Sequence, residues 1–217
     1  MNEQVAPAEP AGSRRGRPPS TSARELELIG LRLFVELGFD NTTIDRIAAE
    51  AGVSRRTFFR YFDSKAGVLW NAFDAEVANL HRLLAESDER LPIMQAVRLA
   101  VLAANHYRAE DVPELRSRIE LIGTVPELAA TAAMHYDAWE RAISSFVAQR
   151  TGKDPQSLYA MAVGRTTLAA CRAAFDRWVL RADADLTAYL NSALNSLASG
   201  FSDPNVDDPD LSPATSR

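Results

Sequence analysis

The sequence predicts an all-α protein of about nine helices. Three observations support this fold class: apolar residues recur at intervals of three and four, capping residues precede those repeats, and several prolines stand where a first helical turn tolerates them. Alternating apolar and polar runs, which would indicate strands, do not recur along the chain. With 217 residues and 47% apolar content, the chain can bury a real core in one or two domains.

The first three helices are predicted from their caps and their glycines. A capping box, Ser22 with Glu25, begins the first helix. Thr42 is predicted to cap the second helix, since Asp45 follows three residues later. Gly52 ends the second helix because glycine readily adopts the positive φ of a sharp turn. The predicted ranges are 22 to 37, 43 to 51 and 55 to 62.

Six further helices are predicted after residue 63. Ser64 caps the first of them, whose apolar stripe ends at Leu84. Four of the next five begin near a proline, because a first helical turn needs no amide donor at that position. The predicted ranges are 92 to 109, 113 to 124, 126 to 150, 155 to 182 and 184 to 199.

Residues 42 to 65 form a predicted helix-turn-helix with an arginine-rich outer face. Arginine bonds bidentately to guanine and threonine reaches base edges, so this face suits a DNA major groove. The outward residues are Arg55, Arg56, Thr57 and Arg60, with Phe58 and Phe62 inward. Thr43, Tyr61 and Lys65 are better placed for phosphate. The alternative is a solvated helix face that touches no DNA.

This segment resembles the TetR family of one-component transcriptional regulators. The matching residues are AAEAGVS at 48 to 54, TFFRYF at 57 to 62, and SK at 64 and 65. More narrowly, the chain resembles the TetR-type regulators associated with mycofactocin biosynthesis in actinobacteria. The resemblance implies a three-helix DNA-binding head, a helical effector domain and a homodimer formed through the last two helices.

The helix signals and the composition of the two ends divide the chain into four predicted segments. Residues 1–21 are predicted to be a disordered basic arm, 22–66 the helix-turn-helix domain, 67–200 the effector-binding and dimerisation domain, and 201–217 a disordered acidic tail. The net charge is −5, but residues 13–65 carry ten basic and seven acidic side chains, whereas residues 66–217 carry fourteen basic and twenty acidic ones. The head can therefore approach phosphate while the body is repelled.

The arm contains Arg-Gly-Arg-Pro, similar to the core of an AT-hook. Arg15 and Arg17 are predicted to enter a narrow minor groove, where the negative potential is concentrated. The alternative is a basic arm that only raises nonspecific affinity.

The helix at 155 to 182 has two faces. Its small side chains would let another helix approach closely, which predicts a dimer seam, although packing within the chain is the alternative. These residues are Ala160, Val163, Gly164, Thr167, Ala170, Cys171 and Ala174. The other face places two arginines in an apolar stripe, so that each needs an acidic partner, such as Glu120 or Asp137, or an anionic ligand.

A ligand cavity is predicted among these apolar helices with a few inward polar groups. Its candidate residues are Leu102, Asn105, His106, His135, Trp139, Arg165, Arg172 and Phe175. His135 is equally readable as a core histidine. One cysteine and three scattered histidines predict no disulfide and no metal site, and no cofactor is expected.

The sequence therefore predicts a cytoplasmic, homodimeric, ligand-responsive repressor that binds a palindromic DNA operator. The proposed effector class is an anionic amphiphile such as a long-chain acyl-CoA. Members of the TetR family, which the chain resembles, bind such compounds. One rival is a helical enzyme using His106 or His135, although the nucleophile elbow, phosphate loop and metal spacing of such enzymes are missing from the sequence. The other is an architectural DNA-binding protein without an effector. No membrane segment is expected.

Overall fold

The computed structural model describes residues 21–181 and 185–200, which form nine α-helices, one 3-10 helix and no strand. The helices are α1 (Ala23–Leu37), α2 (Ile44–Glu50), α3 (Arg55–Phe58), α4 (Gly67–Ala85), α5 (Ile93–Ala104), α6 (Val112–Thr124), α7 (Pro126–Thr151), α8 (Leu158–Arg181) and α9 (Leu186–Ala198). The 3-10 helix, Ala109–Asp111, precedes α6. The all-α prediction is confirmed. None of the described helices is long and apolar enough to cross a membrane.

The cap of α2 lies one residue later than predicted. The Thr43 hydroxyl accepts a hydrogen bond from the Arg46 amide at 3.2 Å. Thr42 is buried instead, and its hydroxyl lies 3.1 Å from the Leu33 carbonyl and 2.9 Å from the Gly38 carbonyl. Because carbonyls at a helix end lack partners within the helix, Thr42 serves the end of α1 rather than the start of α2.

The other turns of the head follow the sequence closely. Ser22 accepts a hydrogen bond from the Glu25 amide, and Ser54 accepts one from the Thr57 amide, both at 3.1 Å. Gly52 has φ +66°, the left-handed conformation that stops α2. These contacts set the angle between α2 and α3.

Three helices are clearly shorter than predicted at one end, where local contacts set the boundary. α3 ends at Phe58, because the amides of Arg60 and Tyr61 donate to carbonyls only three residues back. α5 ends at Ala104 because the Asn105 side chain donates to the Val101 carbonyl at 2.9 Å. α8 starts three residues late because Asp154 holds a turn there.

Two hydrophobic clusters organise the chain, and α4 belongs to both. Its first residues, including Val68 and Trp70, pack into the cluster of α1, α2 and α3, which Leu128 and Ala132 of α7 also join. Its last turns, with Leu80 and Leu84, join the cluster of the body. A side chain at Gly30 would place its Cβ 2.7 Å from Val68 Cγ1, so α1 lies directly on α4. α4 thus connects the head to the body through packed side chains.

The predicted dimer seam on α8 is wrong for five of its seven residues, which are buried within the chain, whereas Val163 and Ala170 are partly exposed. The stripe packs against α7 of the same chain, since a Cβ at Gly164 would lie 2.5 Å from Ser144 Oγ and 2.8 Å from the Glu140 carbonyl oxygen. Its buried members are Ala160, Gly164, Thr167, Cys171 and Ala174. A second row of small residues on α8 is exposed: Ala162, Thr166, Ala169 and Ala173.

Candidate DNA-binding face and effector cavity

The outer face of α3 is exposed as predicted from the sequence, and Arg60 lies in the turn that follows the helix. Phe58 is fully buried and Phe62 is 4% exposed, which fixes the helix on the core of the head. Arg55, Arg56 and Arg60 are exposed, and Thr57 is partly exposed. The structure therefore presents three guanidinium groups and a hydroxyl on one surface, the arrangement that suits a major groove.

Two of these arginines are held by neighbouring side chains. Arg55 Nη1 donates to Asp45 Oδ2 at 2.9 Å, which ties α3 to α2. Arg60 Nη2 donates to the Tyr61 hydroxyl oxygen at 2.9 Å, and that hydroxyl donates to the Thr21 carbonyl at 2.7 Å. These contacts orient the side chains before any ligand arrives.

The predicted phosphate-contacting residues make contacts within the head. Lys65 Nζ donates to the Phe39 carbonyl at 2.8 Å and lies 4.0 Å from the centroid of the Phe39 ring. Tyr61 holds the start of the described chain through Thr21, and Thr43 caps α2. Their phosphate contacts stay predictions, while Arg15 and Arg17 lie outside the described residues.

The body encloses a cavity of about 400 Å³ between α4, the end of α5, α6, α7 and α8. Most of its wall is apolar and aromatic, as in ligand-binding cavities generally. The apolar and aromatic residues that line it include Trp70, Phe73, Leu115, Ile119, Ile122, Tyr136, Trp139, Leu168 and Phe175. Its polar residues are Glu76, Asn105, Tyr107, Arg118, Arg172 and Asp176.

The structure brings four of the eight predicted ligand residues to the cavity wall: Asn105, Trp139, Arg172 and Phe175. The other four lie elsewhere. Leu102 packs against the hydrophobic cluster of the body, and His106 is exposed. Arg165 is 66% exposed, and its Nε lies 3.6 Å from Glu140 Oε2. Of the two arginines that the sequence grouped together, Arg172 therefore lines the cavity and Arg165 does not.

His135 supports the contact between α7 and α4. Its ring stacks on Trp70 with the centroids 4.3 Å apart, and its Nδ1 lies 2.8 Å from Asp74 Oδ1. His135 is absent from the cavity wall. The structure thus agrees with the alternative reading of His135 as a packed and satisfied histidine.

Arg172 is the cation at the exposed side of the cavity. Its guanidinium lies 5.0 Å from the centroid of the Tyr136 ring, and it forms no ion pair with any described residue. The predicted ion pairing is thus confirmed for Arg165, with Glu140 rather than Glu120 or Asp137 as the partner, and is wrong for Arg172. A cation–π contact leaves the charge available to an anion.

Sequence reasoning missed four polar residues of the wall: Asp176 of α8 and three others, which lie on α4, on the segment after α5 and on α6. Tyr107 donates a hydrogen bond from its hydroxyl to Glu76 Oε1. Arg118, whose side chain is 8% exposed, donates through Nη2 to Glu27 Oε1 of α1 and to Glu114 Oε1, the latter at 2.8 Å. We call Glu76, Tyr107 and Arg118 the polar wall.

The ion pair of Arg118 reaches into the DNA-binding head. Glu27 is 1% exposed and also accepts a hydrogen bond from Asn71 Nδ2 of α4 at 3.1 Å. Arg24 of α1 forms hydrogen bonds to Glu114 at 2.6 and 2.7 Å. Two carboxylates and two guanidinium groups therefore join α1 to α6 directly beside the cavity.

Burial raises the pKa of three groups in the wall. Burial, opposed by the hydrogen bond from Tyr107, raises the pKa of Glu76 to about 7. Burial and the neighbouring Glu76 carboxylate raise the pKa of Tyr107 well above its ordinary value. Burial raises the pKa of the Cys171 thiol to about 12, so that this cysteine is a neutral apolar contact.

A sequence signal for the polar wall existed. Arg118 stands at helical spacing from Leu115, Ile119 and Ile122, and is thus a charge on an apolar face. Glu27 likewise shares the inner face of α1 with Leu31. A charged residue at a core position of each helix predicts a buried ion pair, but the sequence does not show which charges meet.

Comparison with known proteins identifies the family. The model of the bacterial regulatory proteins of the tetR family matches residues 30–70, and the model of the MftR C-terminal domain matches residues 91–202. The chain belongs to the TetR family of transcriptional regulators. It is 33% identical to the putative mycofactocin biosynthesis transcriptional regulator MftR of Mycobacterium tuberculosis, over 88% of this chain and 97% of that protein.

Further relatives are also regulators. The regulator TcmR of Streptomyces glaucescens is 29% identical over 77% of this chain and 78% of its own. Among solved structures, the repressor FadR of Thermus thermophilus in complex with lauroyl-CoA matches with a TM-score of 0.55 and 25% identity, over 83% of this chain and 95% of that one. The repressor SmeT of Stenotrophomonas maltophilia shares the fold, with a TM-score of 0.59 and 17% identity over 82% and 90% of the two chains. This TetR-type regulator thus has relatives that regulate transcription, which is consistent with a chain that is not an enzyme.

Proposed function

We propose that this TetR-type regulator is a homodimeric repressor that binds a palindromic operator and is released from it by an anionic amphiphile of the long-chain acyl-CoA class. The cavity of about 400 Å³ carries the effector part of the proposal, because it is largely apolar and lies within the size range of ligand sites. A role at chromosomal DNA implies action in the cytoplasm.

The DNA-binding part rests on the outer face of α3. Arg55, Arg56, Thr57 and Arg60 are proposed to contact bases and phosphates, with Thr43, Tyr61 and Lys65 as further phosphate contacts. Arg15 and Arg17 are proposed to enter the adjacent minor groove.

The dimer part rests on the exposed row of small residues on α8. Small side chains allow close helix approach, and this row faces away from α7. Together with α9, it offers a self-complementary surface, as a two-fold interface requires.

The effector assignment rests on Arg172 and on a relative. Arg172 lies on the exposed side of the cavity without an ion pair among the described residues, which suits the phosphates of a coenzyme A group. The apolar and aromatic wall suits the acyl chain. The FadR repressor of Thermus thermophilus, which shares the fold, is known in complex with lauroyl-CoA. Arg165 is not included, because it is exposed outside the cavity.

Release requires that the effector favour one arrangement of the heads. The Arg118–Glu27 ion pair supplies a physical connection, since one partner lines the cavity and the other lies on α1. An effector that displaces Arg118 would alter the packing of α1.

The proposal is tested with operator DNA selected by the purified protein from a random pool. A palindromic consensus is expected, and lauroyl-CoA should lower operator affinity in fluorescence anisotropy, whereas free coenzyme A should not. Arg172→Ala should weaken the response to lauroyl-CoA, and Arg165→Ala, at a matched arginine outside the cavity, should preserve it. Operator release that is identical in wild type and Arg172→Ala would contradict the headgroup assignment. A complete lack of response to acyl-CoAs would contradict the effector class.

A further inference from the structure

The polar wall stands out in a cavity that is otherwise apolar and aromatic. Its three residues come from three separate elements, yet Tyr107 bonds to Glu76 and Arg118 lines the same cavity. Apolar packing would be the simpler way to close a pocket for a plain hydrocarbon chain, because buried polar groups cost free energy unless they are bonded. The wall therefore points to a polar group on the ligand.

Arg118 has donor capacity that the described residues do not use. Its Nη2 bonds to Glu27 and Glu114, but its Nε is buried and has no hydrogen-bond partner among the described residues. Buried donors without partners are rare in native proteins and are often explained by a bound molecule. The guanidinium is thus a donor without a full set of acceptors in the wall of a ligand cavity.

The surrounding charges restrict which acceptor fits. Glu27 and Glu114 already surround the guanidinium, Arg24 neutralises part of their charge, and Glu76 faces the same space. A ligand carboxylate would meet the carboxylates of Glu27 and Glu114 there, and that of Glu76 whenever it is ionised, and like charges at short distance repel strongly. A neutral oxygen avoids this repulsion and still accepts a hydrogen bond. Because burial raises the pKa of Glu76 to about 7, this residue is protonated in a large share of molecules at neutral pH and can then donate a hydrogen bond as well.

We propose that the polar wall, with Arg118 as the principal donor, binds a neutral carbonyl oxygen of the effector and so selects acyl compounds over plain alkyl ones. In an acyl-CoA this oxygen is the thioester carbonyl. The proposal rests on the proposed function in taking an amphiphile as the occupant. It adds a specificity group at the buried side of the cavity, whereas Arg172 lies at the exposed side.

The test compares lauroyl-CoA with S-dodecyl-CoA, the thioether that has the same chain but lacks the carbonyl oxygen. Affinities are measured by quenching of tryptophan fluorescence, since Trp70 and Trp139 line the cavity. Wild-type protein should bind lauroyl-CoA roughly tenfold more tightly, as expected for a hydrogen bond from a charged donor. Arg118→Lys keeps the positive charge for Glu27 but lacks the guanidinium, and it should close this gap. Arg116→Lys, on the same helix but outside the cavity wall, should preserve the gap.

Each outcome decides one of the two proposals. Equal binding of both compounds by wild type overturns the polar wall and leaves the effector class standing. A gap that persists in folded Arg118→Lys overturns the role of Arg118. If Arg118→Lys does not fold, the wild-type comparison alone decides. If neither compound binds, the effector class is overturned, and acetophenone against ethylbenzene on the same proteins tests the wall independently. In that case, the role of the polar wall is overturned if the ratio of acetophenone to ethylbenzene affinity is the same for wild type and Arg118→Lys.

Discussion

Three arginines of the body differ in the groups that balance their charge. Arg118 is buried between two carboxylates, Arg165 is exposed near Glu140, and Arg172 lies on the Tyr136 ring. Because burying an unpaired charge costs far more than leaving it in water, the buried arginine has the strongest partners. Burial and partners, not residue type, therefore decide which arginine can serve a ligand and how.

Glu76 should make the stability of the ligand-free protein depend on pH. The unfolded chain releases this proton near the ordinary pKa of 4.5, whereas in the folded chain burial raises the pKa to about 7. The folded state therefore binds more protons between these values, and stability falls as pH rises through that window, by on the order of 3 kcal/mol. Glu76→Gln should flatten this slope in urea unfolding at pH 5, 6, 7 and 8. Exposed Glu120→Gln serves as the control, and parallel pH profiles for wild type and Glu76→Gln would contradict the assignment.

Arg56 should be a base-contacting residue whose loss spares the fold. It is exposed on α3 and supports no core, so Arg56→Ala should unfold like wild type. Operator affinity should fall by roughly 1 to 3 kcal/mol per half-site, the value of one good base contact. Arg32→Ala is the matched control, because Arg32 is an exposed head arginine already paired with Glu36 and Glu50. Operator affinity within twofold of wild type would show that the recognition face is assigned wrongly.

Helix boundaries that are set by caps and turns between residues close in sequence were predicted well. Ser22, Gly52 and Ser54 act through contacts within a few residues, so the first turns of the head could be read from the chain. The role of Thr42 could not be predicted in this way, because its acceptors include a carbonyl nine residues away. Arg118 of the polar wall escaped prediction for the same reason: its partner Glu27 stands 91 residues away, and only the packing of α1 on α6 brings the two together.

The crossing of α7 and α8 should depend on the absence of a side chain at Gly164. A Cβ there would lie 2.8 Å from a backbone oxygen of α7, so the helices must separate. Gly164→Ala should therefore lose about 1 to 3 kcal/mol in urea unfolding, even though alanine favours helix. Gly123→Ala is the matched control, since nothing lies within 4 Å of a Cβ there, and it should gain up to about 1 kcal/mol. Equal stability of the two variants would show that the crossing tolerates a methyl group.

In the whole molecule, the head and the body are joined by α4, by Leu128 and Ala132 of α7, which pack in the head cluster, and by the Glu27–Arg118 ion pair. α1 also lies directly on α4 at Gly30, so movement of the body at the cavity reaches the head through packed atoms. Packed interfaces tend to have discrete arrangements rather than deforming continuously. An effector that prefers one arrangement can therefore change the distance between two heads in a dimer.

That mechanism requires a dimer, and the exposed small row of α8 is where we expect it to form. Ala169→Arg would place a long charged side chain in the centre of the row, so the protein should sediment as a monomer. Each head would then bind its half-site alone, and the apparent operator affinity should fall by about a hundredfold or more because the second contact is no longer intramolecular. Ala78→Arg, at an exposed position of α4, is the matched control and should leave a dimer with wild-type affinity. A dimeric Ala169→Arg protein would place the interface elsewhere on the chain, whereas a monomer with undiminished operator affinity would mean that the two heads bind DNA independently.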